Sequence, residues 1–289
     1  MPKYKIASAK VIDLNTGEYK DISELKGVRA ALIEEGGYII SPKQREYASR
    51  FYRRREDATD FIWVKFQYNC PFYDNLSLNN VTRMLCMATY INDKGFSMFK
   101  TDIGGTLNIN ANLALNLRKE LEEKGIISFN KDRIYFSDSI CYRGKLQGNS
   151  ADHIRLFTEA TQTLYSSCRI TKHKYLAYIF KMIPYMNRQT NILSYNQQEQ
   201  DISRIEPMTV QEFCQLVGYD TTHAGRFRGE LSAFRIFDEP VVAFFNDRTT
   251  IDFCSNGRYI VVNPKLFFGG DRSQSNYKII RSLFQKSKE

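Results

Sequence analysis

The sequence predicts an α+β, mainly helical protein in which one structural unit occurs twice behind an N-terminal extension. Three observations carry this expectation. Two stretches share one order of signals: an apolar helix, a short helix, a turn, an amphipathic helix, and a β-rich run that ends near glycine. Each turn is followed by hairpin signals. The 289 residues are 43% hydrophobic, enough to fill a core, and their 41 Lys+Arg against 32 Asp+Glu leave a net charge of +9.

Composition excludes several classes. No window approaches the roughly 18 uninterrupted apolar residues of a membrane span, and the opening MPKYKIASAKVIDL lacks the apolar centre of a signal peptide. A soluble cytosolic protein with no membrane partner is expected. The six cysteines, at 70, 86, 141, 168, 214 and 254, form no CxxC pair, and there are only three histidines. Neither a zinc cage nor a disulfide framework is predicted, and no cofactor. Excess basic charge on such a chain points to a polyanion, most simply nucleic acid.

The elements follow in order. Residues 1–60 read as an extension with a β-hairpin and a basic helix, its stripe Arg45, Arg50, Arg53, Arg54 and Arg55 broken by Glu56-Asp57. The first unit, 61–148, has its apolar helix at Asn80–Asn92 and an amphipathic helix closed by Gly125. Ile126–Phe129, a turn at Asn130-Lys131-Asp132, and Arg133–Phe136 then form a hairpin. Residues 149–170 are expected to be a linker helix, with Ile154, Phe157, Ala160, Thr161 and Leu164 on one side.

The second unit, 171–272, has its apolar helix at Lys174–Asn187. Thr209, with Glu212 three residues on, has capping-box spacing; Phe213, Leu216 and Val217 make an apolar face, and Gly218 supplies a left-handed break. A helix over about Thr221–Phe234 presents Phe227, Leu231 and Phe234 inward. The β-rich runs Val241–Phe245, Thr249–Phe253 and Arg258–Val262 follow, with Asn256-Gly257 as a hairpin turn. Residues 273–289 make a basic amphipathic tail helix that could lie on the core or on a partner. A shift of 110 aligns Ile103, Leu107, Ile109, Leu117 and Leu121 with Phe213, Val217, Tyr219, Phe227 and Leu231, and pairs Arg118 with Arg228 and Glu120 with Glu230. The closing segments align at a shift of 126, so the second unit carries an insertion of 16 residues. Two short helices with a tight turn, then a hairpin, make a winged helix, so two tandem winged-helix domains are expected.

The helix pair Thr209–Phe234, and above all Tyr259-Ile-Val-Val-Asn-Pro-Lys-Leu-Phe-Phe-Gly-Gly270, resembles the tandem winged-helix plasmid replication initiators, and locally the RepL-type replication proteins of Firmicute plasmids and phages. Ile134–Gly144 is a similar closing run that lacks the Asn-Pro. The resemblance covers about residues 78–146 and 172–270. It implies binding to double-stranded origin DNA and recruitment of host replication proteins, without chemistry by the initiator. A phage or plasmid transcription regulator of the same fold, as a homodimer or alone, needs the same docking surface.

With Phe227 as the core direction, 100° per residue sends Thr222, Gly225, Arg226, Gly229 and Ser232 outward, with Arg228 on the flank. Thr222, Arg226 and Arg228 are therefore base-reading candidates, Arg226 foremost because a guanidinium bonds guanine O6 and N7 together. The same construction from Leu117 gives Asn112, Asn116 and Lys119 as base readers, with Arg118 flanking toward the backbone. Asn reads adenine as Arg reads guanine, so the two units would read different half-sites. Lys131, Arg133, Arg248 and Arg258 are hairpin candidates for phosphate or minor-groove contact.

One enzymatic alternative is His223-Ala-Gly-Arg226 with Tyr259, which mimics the His-x-x-Arg and nucleophilic tyrosine of tyrosine recombinases. His223 is expected near the core side of its helix, aligned with the apolar Leu113. No Walker A pattern or histidine-paired metal site is visible, and the chain is expected not to be an enzyme.

Overall fold

The computed structural model describes residues 4–7, 10–13, 19–21, 60–65, 76–92, 94–97, 102–246, 257–272 and 275–286. It divides into two compact units, Met1–Ala58 and Thr59–Glu289. In the first, β1 (Tyr4–Ala7), β2 (Lys10–Asp13) and β3 (Tyr19–Asp21) form an antiparallel sheet, one strand more than the expected hairpin. The Arg45–Arg55 stripe lies outside the described residues.

The second unit runs β4 (Phe61–Lys65), α1 (Leu78–Ala88), α2 (Ile103–Leu107), α3 (Ala111–Glu123), the hairpin β5 (Ile127–Asn130) and β6 (Arg133–Phe136), and β7 (Cys141–Tyr142). It continues through β8 (His153–Phe157), α4 (Thr158–Ser167), α5 (His173–Lys181), α6 (Val210–Leu216) and α7 (Ala224–Ser232). The strands β9 (Arg235–Ile236), β10 (Glu239–Pro240), β11 (Val242–Phe245), β12 (Tyr259–Val262) and β13 (Phe267–Phe268) precede α8 (Ser275–Lys286). The chain is therefore α+β with small antiparallel sheets.

A four-stranded sheet, ordered β13-β8-β4-β7, joins the two copies. Its register is internally two-fold. The central pair runs Phe61↔Phe157, Ile62↔Leu156, Trp63↔Arg155, Val64↔Ile154 and Lys65↔His153. The shift of 92 that takes Trp63 to Arg155 and the shift of 126 that takes Cys141 to Phe267 convert Trp63↔Tyr142 and Val64↔Cys141 into Arg155↔Phe268 and Leu156↔Phe267, the pairs observed. The flanking hydrogen bonds repeat as well. Lys65 N–H donates to Ile140 O at 2.7 Å, and Phe157 N–H to Leu266 O at 3.0 Å. Trp63 Nε1 donates to Gly144 O at 3.1 Å, and the Arg155 guanidinium to Gly270 O.

The segment expected to be a linker helix is thus a central strand for its first part, β8, and a helix only from Thr158. The reason is double burial. His153, Ile154, Leu156 and Phe157 are all buried, and a strand covered on both faces shows no alternation for sequence periodicity to detect. The 16-residue insertion also resolves in two places. Five residues lie ahead of β11, where Ile127 corresponds to Val242, and make up most of the small β9–β10 pair; the other eleven lie between β11 and β12. Despite them, β5–β6 and β11–β12 keep one register: Ile127↔Phe136 matches Val242↔Val262, and Asn130↔Arg133 matches Phe245↔Tyr259. The run Thr249–Phe253 lies outside the described residues.

Above the sheet, α1 packs on α5. Residues Asn80–Ala88 are buried all round, and most of the polar side-chain groups among them find partners. Thr82 Oγ1 donates to His173 O at 2.9 Å, and Arg83 to Asn80 Oδ1 at 2.9 Å. Burial also pushes the Cys86 thiol up to about 12, so it stays neutral. The tail helix lies on the core: Ile280 and Phe284 cover Phe245, Tyr259 and Val261 on the outer face of β11–β12.

One buried carboxylate anchors that tail. Glu239, 2% exposed, accepts from Lys265 Nζ and from Arg281 of α8, each at 2.8 Å, and from Asn263 at 3.1 Å. Burial raises its pKa, but the hydrogen bonds from Lys265 and Asn263 and the Arg281 and Lys265 charges outweigh that and hold it below 4.5. A carboxylate depressed in the fold stabilises above its unfolded value and loses that contribution as pH falls through its folded one. Glu239→Ala is expected to cost about 2–3 kcal/mol at neutral pH, below the figure for a wholly buried pair because the cations can partly rehydrate. In urea titrations the gap between wild type and variant should shrink as pH drops below 4.5. A gap that does not change with pH would exclude this clamp.

Candidate nucleic-acid interface

The two helix pairs α2–α3 and α6–α7 are built by the same local chemistry. Asp102 caps α2 by accepting from Gly105 N–H, while Thr209 caps α6 through a capping box with Glu212. The backbone then turns left-handed at Asn108 (φ 50°) and at Gly218 (φ 69°), positions related by the shift of 110. Asparagine is the side chain that best tolerates this conformation after glycine. Ile109 N–H closes onto Gly104 O at 3.0 Å, and Tyr219 N–H onto Cys214 O at 2.8 Å. Asn110 and Asp220 cap the next helical segment, whose second copy opens with a 3-10 turn, Thr221–His223, before α7.

Burial fixes the rotation of each second helix. Leu117 and Leu121 of α3, and Phe227 and Leu231 of α7, are fully buried. Opposite them, Asn112, Leu115, Asn116 and Lys119 are exposed, as are their counterparts Thr222, Gly225, Arg226 and Gly229. Leu115, 49% exposed, is the member of this face that sequence reasoning missed; its place one turn from Lys119 on the outward arc was the available signal. The side chains of Arg226, Asn112, Asn116 and Lys119 make no hydrogen bond or ion pair with another described residue. Thr222 is engaged: its Oγ1 and N–H both bond Asp220 Oδ1, at 2.7 and 2.9 Å.

The residues identical in both copies are positioned differently. Arg118 lies 3.8 Å from the ring centroid of Phe129 in β5, and Arg228 lies 5.9 Å from that of Phe244, the equivalent place in β11. Both guanidinium groups thus brace a helix against the strand pair that follows it, and Arg118 also pairs with Glu122 at 3.2 Å. Glu120 accepts from Asn80 of α1, and Glu230 from Lys172, just before α5, at 2.5 Å. These shared charges hold each second helix to its own opening helix.

Of the hairpin candidates, Lys131 occupies the turn with φ 55° and Arg133 stacks over Phe96 at 4.3 Å. Arg258 is exposed beside the start of α6: its carbonyl accepts from Val210 N–H at 2.8 Å, and its charge helps the Thr209 hydrogen bonds keep Glu212 below its ordinary pKa. Arg248 lies outside the described residues. His223 does not face the core; its side chain is 63% exposed, because it precedes α7 in the 3-10 turn, where helical periodicity does not apply. Tyr259 is 8% exposed, its ring 5.4 Å from that of Phe245 under α8.

Glycine on an exposed helix face costs about 1 kcal/mol against alanine. A Cβ at Gly225 or at Gly229 would meet nothing within 4 Å, so nothing in the described chain requires either glycine. Gly225→Ala with Gly229→Ala is expected to stabilise by about 1–2 kcal/mol in thermal melts; destabilisation would mean that the fold itself needs them. No protein-family model, curated protein or solved structure matches the chain.

Proposed function

We propose that the second unit comprises two winged-helix domains and that the protein is a sequence-specific, non-enzymatic binder of double-stranded DNA that acts as a replication initiator of a plasmid or phage. The observation that carries this reading is the pair of matched outward helix faces, one with Asn112, Asn116 and Lys119 and the other with Arg226, polar and unengaged on otherwise well-bonded helices. Amide and guanidinium groups at these places suit bidentate bonding to adenine and guanine edges in a major groove. Lys131 and Arg258, exposed beside the two helix pairs, suit phosphate contact, and the net charge of +9 favours association with a polyanion. The resemblance of Tyr259–Gly270 to the closing segment of RepL-type proteins favours an initiator over a regulator. Host replication proteins and a second copy of the chain are then the natural further partners.

The readings separate by measurement. Arg226→Ala should relax specificity at a single base pair by about 1–3 kcal/mol, seen as a flattened preference in duplex selection. Equal loss on every sequence would remove its base-reading role. Arg258→Ala should weaken all duplexes alike and shallow the salt dependence by about one ion. A plasmid carrying this reading frame and its flanking repeats as sole replication functions should be maintained; if it is lost while promoter-proximal sites are bound, the protein is a regulator.

A further inference from the structure

The sheet that joins the copies has a direction as well as a register. Its central pair β4–β8 is antiparallel and symmetric about Trp63↔Arg155, and β7 and β13 add to the outer edges with equivalent pairs. From each outer edge inward the same bonds recur, down to donation from Trp63 and Arg155 to the carbonyls of Gly144 and Gly270. The operation that superposes the copies is therefore a two-fold rotation, not a translation along the chain. Within each copy the outward helix follows an equivalent turn, buries equivalent residues and packs on the equivalent strand, α3 on β5 and α7 on β11, although α7 packs more closely on its own opening helix α5 than α3 does on α1. A tandem sequence repeat has folded as a pseudo-symmetric dimer within one chain.

A straight duplex engaged by two readers related by a two-fold axis must present its half-sites in opposite orientations. Resting on the DNA-binding reading above, we propose that the target of one chain is an inverted pair of unlike half-sites, one read by Asn112, Leu115, Asn116 and Lys119 and the other by Thr222, Gly225, Arg226 and Gly229. Because the faces differ, the natural site is not a palindrome, and its inverted order is hidden in its sequence.

Grafting one face onto the other exposes that order. The quadruple variant Thr222→Asn, Gly225→Leu, Arg226→Asn, Gly229→Lys gives both helices the α3 face. All four positions are exposed, and the two glycines have open space for a side chain. The reciprocal variant is Asn112→Thr, Leu115→Gly, Asn116→Arg, Lys119→Gly. The full-length wild type and both grafts are put through selection from random duplexes, with a thermal melt to establish that each graft is folded. Each folded graft is expected to recover a palindrome, two identical half-sites in opposite orientation, preferred at least about tenfold over the same half-sites in direct repeat. Recovery of direct repeats or of a lone half-site overturns the proposal, as does loss of binding by both folded grafts while the wild type binds. If the wild type itself selects no duplex, the DNA-binding reading falls first and takes this inference with it.

Discussion

The antiparallel pairing of β4 with β8 is the constraint on which the rest of the second unit depends. Strands in mid-sheet must satisfy backbone groups on both edges, and here the edges belong to different copies: the inner edge of each strand serves the other copy, the outer edge its own closing strand. Ile62, Val64, Ile154 and Leu156, all buried, then receive the α1–α5 helix pair above, so the copies share one hydrophobic core. Two isolated copies would each leave half a sheet and one side of an apolar helix exposed.

The pair at the centre of that register departs from symmetry in chemistry while keeping it in geometry. Trp63 and Arg155 differ in size and charge, yet both are long enough to cover the sheet and both carry an N–H that reaches a glycine carbonyl at the end of their own copy. The Arg155 guanidinium, short of water and close to Arg272, has its pKa lowered to about 10, first by burial and then by that neighbour, and it still remains a cation near neutral pH. Sequence divergence between the copies has therefore been absorbed without loss of the hydrogen-bond pattern.

Asymmetry is concentrated at the periphery. The second copy carries the β9–β10 pair, a longer connection between β11 and β12, and α8 against the outer face of those strands. Glu239 joins the first and last of these, since it lies in β10 and pairs with Arg281 of α8, and it also bonds Asn263 and Lys265 just beyond β12. None of these additions alters the outward arcs of α3 and α7, whose rotation depends on Leu117, Leu121, Phe227 and Leu231 beneath them.

Local chemistry was legible in the chain itself. The capping box of Thr209 and Glu212, the left-handed Gly218, the burial of Phe227 and Leu231, and the outward arc from Asn112 to Lys119 all follow from spacing within about a dozen residues. So did the repetition of the unit, because it is a property of order. The structure alone showed that β8 is a strand, that Arg118 and Arg228 brace helices against hairpin aromatics, that His223 faces outward, and that a translation in sequence becomes a rotation in space. Those outcomes rest on which strand edges meet and what covers both faces of a sheet. Such contacts join residues about 90 positions apart, where neither periodicity nor propensity carries information.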